Sequence, residues 1–162
     1  MNRRNFLRGA SQPALAVQRP PWVRQDALTN CTSCNDCVSA CPENILKLDD
    51  AGLPMVDFSD TGCTFCGDCA ASCTQGVFDA QSEPAWQNSL TVSGDCLLAS
   101  GVSCQLCTDF CDSEALVFDL SQRPVGALRV DHDSCTGCGM CIGACPVTAI
   151  TLAPLTEREV AA

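Results

Sequence analysis

The chain has no tyrosine, one histidine (His132) and nine lysines and arginines against 19 acids. Each scarcity excludes something. A single histidine cannot furnish a His-rich metal site or several imidazole-based catalytic centres. A formal net charge of −10 at pH 7 argues against nucleic acid as a main partner, because phosphate recognition needs a basic surface. No apolar run approaches the length of about 18 residues that a membrane-spanning helix needs. Aromatic residues are 5% of the 162, which leaves little material for a large apolar core. A chain of this length forms one or two domains, and two half-size domains would each fall in the range that needs a covalent or metal staple.

What the chain has in abundance is cysteine, 16 in all, in four groups of four. They are Cys31, Cys34, Cys37 and Cys41; Cys63, Cys66, Cys69 and Cys73; Cys96, Cys104, Cys107 and Cys111; and Cys135, Cys138, Cys141 and Cys145. Groups one, two and four read C-x2-C-x2-C-x3-C, and group three opens with C-x7-C instead. This is the bacterial ferredoxin run, in which three thiolates curl around one iron–sulfur cluster and the fourth serves another cluster alongside. Disulfide scaffolds also use even cysteine counts, but they rarely place three cysteines within seven residues four times over. Zinc sites use C-x2-C pairs, normally two pairs and not triplets with a trailing fourth. The spacing therefore favours four [4Fe–4S] clusters.

An internal repeat organises the groups. Between groups one and two, Ile45–Leu48 and Leu53–Phe58 flank a turn at Asp49-Asp50-Ala51-Gly52. Between groups three and four, Ala115–Leu120 and Ala127–Asp131 flank a turn through Pro124 and Gly126. Both read as strand, turn, strand. Further strand fragments are expected at Val77-Phe78, Leu90–Val92 and Ala149–Leu152, and short helices after each fourth cysteine. The reading is an α+β chain of two tandem bacterial dicluster ferredoxin-like domains, small hairpins and short helices around their clusters. They span residues 27–82 and 88–155, behind a basic flexible tail at 1–26, with the join at Gln81–Asn88. Because each half has its own hairpin, sequential pairing is preferred over nesting group one with four. The cofactor-binding quartets are then Cys31, Cys34, Cys37 with Cys73; Cys63, Cys66, Cys69 with Cys41; Cys96, Cys104, Cys107 with Cys145; and Cys135, Cys138, Cys141 with Cys111.

The repeats differ in ways that bear on potential. Proline follows the fourth cysteine in groups one and four (Pro42, Pro146), whereas Thr74 and Asp112 stand there in groups two and three. Proline removes an N–H that could bond a sulfur, and hydrogen bonds to sulfur tune cluster potentials. The four clusters are therefore expected not to be isopotential. The seven-residue spacer Leu97–Ser103, where the other groups have two residues, reads as a tolerated, mobile surface loop, in preference to a device that opens access to one cluster.

Residues 1–24 carry Arg3, Arg4, Arg8, Arg19 and Arg24 and no acid, so the remaining 138 residues hold a net charge of −15. Four all-thiolate clusters would take the whole chain to about −18. An acidic surface suits a soluble electron carrier that meets basic partner patches. The opening Asn2-Arg3-Arg4-Asn5-Phe6-Leu7-Arg8 is like a twin-arginine export signal. The apolar stretch after it is short and broken by Ser11, Gln12 and Pro13, so an uncleaved cytoplasmic tail is favoured over export to the periplasm.

Four ferredoxin-type groups, one with the C-x7-C opening, behind an Arg-Arg tail and the Arg19-Pro20-Pro21-Trp22 segment, resemble the NapF family of ferredoxin-type accessory proteins of the periplasmic nitrate reductase system. The resemblance implies a cytoplasmic protein that acts on the immature catalytic molybdenum subunit before its export, in cluster insertion or reductive maturation. A general electron-transfer ferredoxin, or an electron-transfer subunit of a larger redox complex, is the competing reading. No catalytic residues are expected: there is no C-x3-C-x2-C radical motif and no nucleotide-binding glycine loop, and Gly137-Cys138-Gly139 belongs to a cysteine group. His132, between Asp131 and Asp133, reads as a solvated loop residue.

Overall fold

A computed structural model describes residues 17–79, 84–86, 88–122 and 124–154. The twin-arginine-like start, with Arg3, Arg4 and Arg8, lies outside these residues.

Each half contains one hairpin between its two cysteine groups. In the first, β1 (Leu46–Leu48) pairs antiparallel with β2 (Pro54–Val56), Leu46 opposite Val56. The reversal is held by Asp49, whose carboxylate accepts the amides of Ala51 and Leu53, both at 2.9 Å, the usual role of Asp in a tight turn. Strands β4 (Leu116–Asp119) and β5 (Ala127–Val130) form the equivalent hairpin in the second half, Leu116 opposite Val130. Gly126, at φ 92°, closes that turn under the Phe118 ring, where a Cβ would lie 2.6 Å from the ring carbon Cζ.

The halves close differently. In the second, β3 (Asn88–Val92) and β6 (Ile150–Pro154) form a five-residue antiparallel ladder. In the first, the equivalent pairing among the described residues is a single bridge between Val23 and Phe78. Pro20 and Pro21 precede Val23 and have no N–H to extend a ladder.

Four short helices carry the third cysteines: α1 (Asp36–Ala40), α2 (Asp68–Ser72), α3 (Leu106–Asp109) and α4 (Met140–Ala144). This corrects the expected placement. Each helix precedes the fourth cysteine instead of following it, and Cys41, Cys73 and Cys145 are the extended C-caps of α1, α2 and α4. For Cys41 and Cys145 the following proline disfavours the helical region. Cys73 ends its helix the same way ahead of Thr74, so proline is not required.

The apolar core is thin and in two parts. Ile45, Leu46, Val56 and Phe58 form one part with Cys69, and Leu90, Leu116 and Ile150 form the other with Cys141. Ile142 and Leu152 pack against both and make them continuous. At the junction the Cys63 amide donates to the Cys138 carbonyl at 2.7 Å, and the Gly62 amide donates to the Met140 sulfur at 3.1 Å. Trp86 sits here too. Its ring meets Phe58 and Phe65 edge-on, and its indole N–H donates to the Thr136 carbonyl at 3.0 Å. The described part of the expected join is thus a packed element and not only a connector.

Residues 18–26, expected from composition to belong to a flexible basic tail, are built into the first half. The Val56 amide donates to the Gln18 carbonyl at 2.8 Å, and the Arg19 guanidinium reaches the Asp49 carboxylate at 2.7 Å and the Pro54 carbonyl at 3.0 Å. Pro20, Pro21 and Trp22 are buried. Composition identified the charge of this segment but not its apolar Pro-Pro-Trp centre as an anchor.

Close packing at the junction has a consequence at Gly62, where a Cβ would lie 2.6 Å from both the Cys138 carbonyl oxygen and the Met140 amide nitrogen. Gly62→Val is expected to destabilise the cluster-loaded protein by about 1–3 kcal/mol, the usual cost of overpacking. A thermal unfolding midpoint equal to that of the unsubstituted protein would contradict the packed junction.

Candidate metal centres

The cysteine runs are bent by residues with left-handed backbone. In groups one, two and four the residue before the second cysteine (Ser33, Phe65, Gly137) and the residue after it (Asn35, Gly67, Gly139) all have φ between 55° and 82°. Asn35, Gly67 and Gly139 are also the N-caps of α1, α2 and α4. The residue three beyond the fourth cysteine is left-handed in all four groups: Asn44, Gly76, Glu114 and Thr148. Successive turns of this kind aim backbone N–H groups into a concavity suited to an anion, as in many iron–sulfur sites. The Phe65 amide already points at the Cys63 sulfur, 3.4 Å away, and the Ala149 amide at the Cys145 sulfur, 3.3 Å away.

Four cavities open over these loops, each partly open to solvent. The first, about 360 Å³, is lined by Cys31, Cys34, Cys37 and Cys73. The second, about 350 Å³, is lined by Cys41, Cys63, Cys66 and Cys69. The third, about 370 Å³, is lined by Cys96, Cys104, Cys107 and Cys145. The fourth, about 300 Å³, is lined by Cys111, Cys135, Cys138 and Cys141. Each cavity collects three cysteines of one run and the fourth cysteine of the other run in the same half. Cys145 lies with Cys96 and not with Cys31, as sequential pairing requires.

Electrostatics follow the same grouping. Burial pushes the Cys69 and Cys141 thiols up to about 12 and those of Cys63 and Cys107 up to about 11. Cys37 and Cys135 are raised for the same reason. Quartet partners add to the push: Cys73, Cys31 and Cys34 on Cys37, and Cys96, Cys104 and Cys145 on Cys107. Two thiols also feel a neighbouring quartet, Cys63 through Cys138 and Cys141 through Cys107. Free thiols so placed are neutral near pH 7, and only a bound cation makes them thiolates.

The cavities suit a cluster better than a single ion. Among the described residues no group of three Cys, His, Asp or Glu side chains is arranged to hold one metal ion. Each cavity brings four thiols around a largely apolar space, the donor set of an all-thiolate iron–sulfur cluster.

The third run departs from the others. Gln105, before α3, has φ −128°, so the left-handed turn is missing. In the seven-residue spacer of this run Ala99–Ser103 are exposed, as expected of a surface segment, but its backbone is turned back on itself and its first two residues face inward. The Ser100 amide donates to the Cys96 carbonyl at 3.1 Å and the Val102 amide to the Leu97 carbonyl at 2.8 Å. Leu97 and Leu98 form part of the cavity wall, and Leu98 is buried. Composition alone could not show this, because Gly101 and Ser100 mask the two leucines beside them. His132 is exposed, as expected.

The 4Fe-4S dicluster domain family matches the chain twice, at residues 30–77 and 102–149. The protein is therefore a tandem dicluster ferredoxin-type iron–sulfur protein, with two [4Fe–4S] clusters in each half and four in all. Within that class it belongs to the NapF family. It is 39% identical to the ferredoxin-type protein NapF of Haemophilus influenzae, over 97% of this chain and 96% of that one. It is 36% identical to NapF of Escherichia coli, over 93% of each chain. The methylamine utilization ferredoxin-type protein MauM of Methylobacillus flagellatus is 31% identical over 95% of this chain but 58% of its own length.

Whether the fourth cysteine that lines a cavity also ligates there is testable. Anaerobically prepared protein should carry about 16 iron and 16 sulfide per chain. Cys73→Ser is expected to perturb the same electron paramagnetic resonance signal as Cys31→Ser, and a different one from Cys63→Ser. A Cys73→Ser spectrum that matches Cys63→Ser would contradict the exchange.

Proposed function

We propose that the sixteen cysteines ligate the four clusters in the quartets that line the four cavities. We further propose that the chain works in the cytoplasm on the immature catalytic molybdenum subunit of periplasmic nitrate reductase, by cluster insertion or reductive activation, and catalyses no reaction of its own. The observation that carries this reading is the nearly end-to-end likeness to ferredoxin-type NapF proteins, together with the association of that family with nitrate reductase.

When bound, each cluster supplies a one-electron couple. The chain's residues arrange these couples in single file. Cys41 and Cys73 tie the first two sites together by exchange, as Cys111 and Cys145 tie the last two. The backbone bond from Cys63 to Cys138 brings the second site of the first half against the second site of the other half. The order is the Cys31, Cys63, Cys135 and Cys96 quartets, with the Cys31 and Cys96 sites at the two ends. An excess of acids over the described surface favours encounter with a basic partner. No helix among the described residues is long and apolar enough to cross a membrane.

Immobilised cluster-loaded protein is expected to retain the cofactor-free catalytic subunit and to release the mature one. A strain lacking this chain should show reduced nitrate reductase activity with the subunit still synthesised. No retention, together with normal activity in that strain, would refute the maturation role. Restoration by an unrelated low-potential ferredoxin would favour a general electron carrier.

A further inference from the structure

Seven non-glycine residues have left-handed backbone among those described. Six lie in the cysteine runs or just beyond them, where the bend shapes a cavity. The seventh is Trp22, at φ 62°. For a bulky residue this conformation is strained, and it persists only where the surroundings impose it. Here they do. The Trp22 amide donates to the Ala85 carbonyl at 2.7 Å, and the Trp22 carbonyl accepts the Asp79 amide at 2.7 Å.

The strain delivers the indole to one place. Trp22 is 6% exposed and, with Pro21, forms part of the wall of the cavity lined by Cys41, Cys63, Cys66 and Cys69. Its ring meets Phe65 edge-on at 6.4 Å, and Phe65 stands between Cys63 and Cys66. Its indole nitrogen Nε1 is buried with no hydrogen-bond partner, the one such side-chain atom among the described residues. Buried indole N–H groups ordinarily find an acceptor. The other tryptophan does so, donating to Thr136. The walls of the other three cavities contain no tryptophan.

We propose that the Trp22 indole N–H donates a hydrogen bond to a sulfur of the cluster held by Cys41, Cys63, Cys66 and Cys69, and so raises the potential of that cluster alone. The proposal rests on the assignment of this quartet to a [4Fe–4S] site. It deepens that assignment by giving the N-terminal Arg-Pro-Pro-Trp segment a role at one cluster. A donor on a cluster sulfur stabilises the reduced form, which carries one more negative charge, over the oxidised form. The same segment is clasped to the first hairpin through Arg19 and Asp49, so the donor is held by the fold and not by the cluster alone.

Trp22→Phe keeps an aromatic ring and removes the N–H. In a potentiometric titration followed by electron paramagnetic resonance, one of the four waves is expected to move to lower potential while the other three stay. Iron content is measured in parallel, so loss of the cluster assignment is distinguishable from loss of the hydrogen bond. Four unmoved waves in a variant with full iron would overturn the proposal. If the variant loses iron, the unsubstituted protein decides. With ¹⁵N-labelled tryptophan, the reduced protein should show a hyperfine-coupled indole nitrogen with an exchangeable proton. That coupling should survive in Trp86→Phe. Its absence from the unsubstituted protein, or its loss in Trp86→Phe with full iron, would overturn the proposal.

Discussion

The structure depends on where the fourth cysteine of each run is left. A one-turn helix carries the third cysteine into its own cavity and then stops. At Cys41, Cys73 and Cys145 the backbone turns extended, which sends the thiol to the partner run's cavity. Each half therefore has two runs that are each incomplete alone. The helices α1 and α2 must pack side by side, as must α3 and α4. The hairpins β1–β2 and β4–β5 span the distance between the two runs of each half. With so few large apolar residues, this mutual completion takes the place of an extensive core. Cluster binding is then expected to be coupled to folding, as in other small proteins whose metal site replaces a hydrophobic interior.

The two halves use this plan unequally. The second is closed by a continuous ladder, and the insertion in its first run folds into a compact turn whose leucines complete a cavity wall. The first is closed by one bridge, the Arg19–Asp49 ion pair and the buried Pro21 and Trp22. Both asymmetries change what surrounds a cluster while leaving its four cysteines in place. Surroundings of this kind, more than the ligands, are what separate the potentials of otherwise identical clusters.

Much of this was legible in the sequence because the cysteine spacing is a strong local constraint. The quartets of cysteines that share a cavity, the two hairpins and the strand fragments at Val77-Phe78, Leu90–Val92 and Ala149–Leu152 are all visible as pattern. Less visible was anything set by backbone sign or by burial at a distance. Helices α1, α2 and α4 are started by Asn35, Gly67 and Gly139 in the left-handed region, a signal available in the residue types but not in the spacing, whereas α3 starts without one at Gln105. Residues 18–26 look like tail because their arginines dominate the composition, whereas their position is decided by Pro21 and Trp22. The join between the halves looks like a linker, yet Trp86 packs at the junction that brings Cys63 to Cys138.

The proposed arrangement sets four clusters in single file, each held by three cysteines of one run and one of another. X-ray diffraction from crystals of the anaerobically prepared protein at the iron absorption edge tests it most directly. Four iron clusters are expected, ringed in spatial order by the Cys31, Cys63, Cys135 and Cys96 quartets, with Cys73, Cys41, Cys111 and Cys145 as the respective fourth ligands. Single metal ions on pairs of cysteines, or one cluster shared by Cys31 and Cys145, would contradict it.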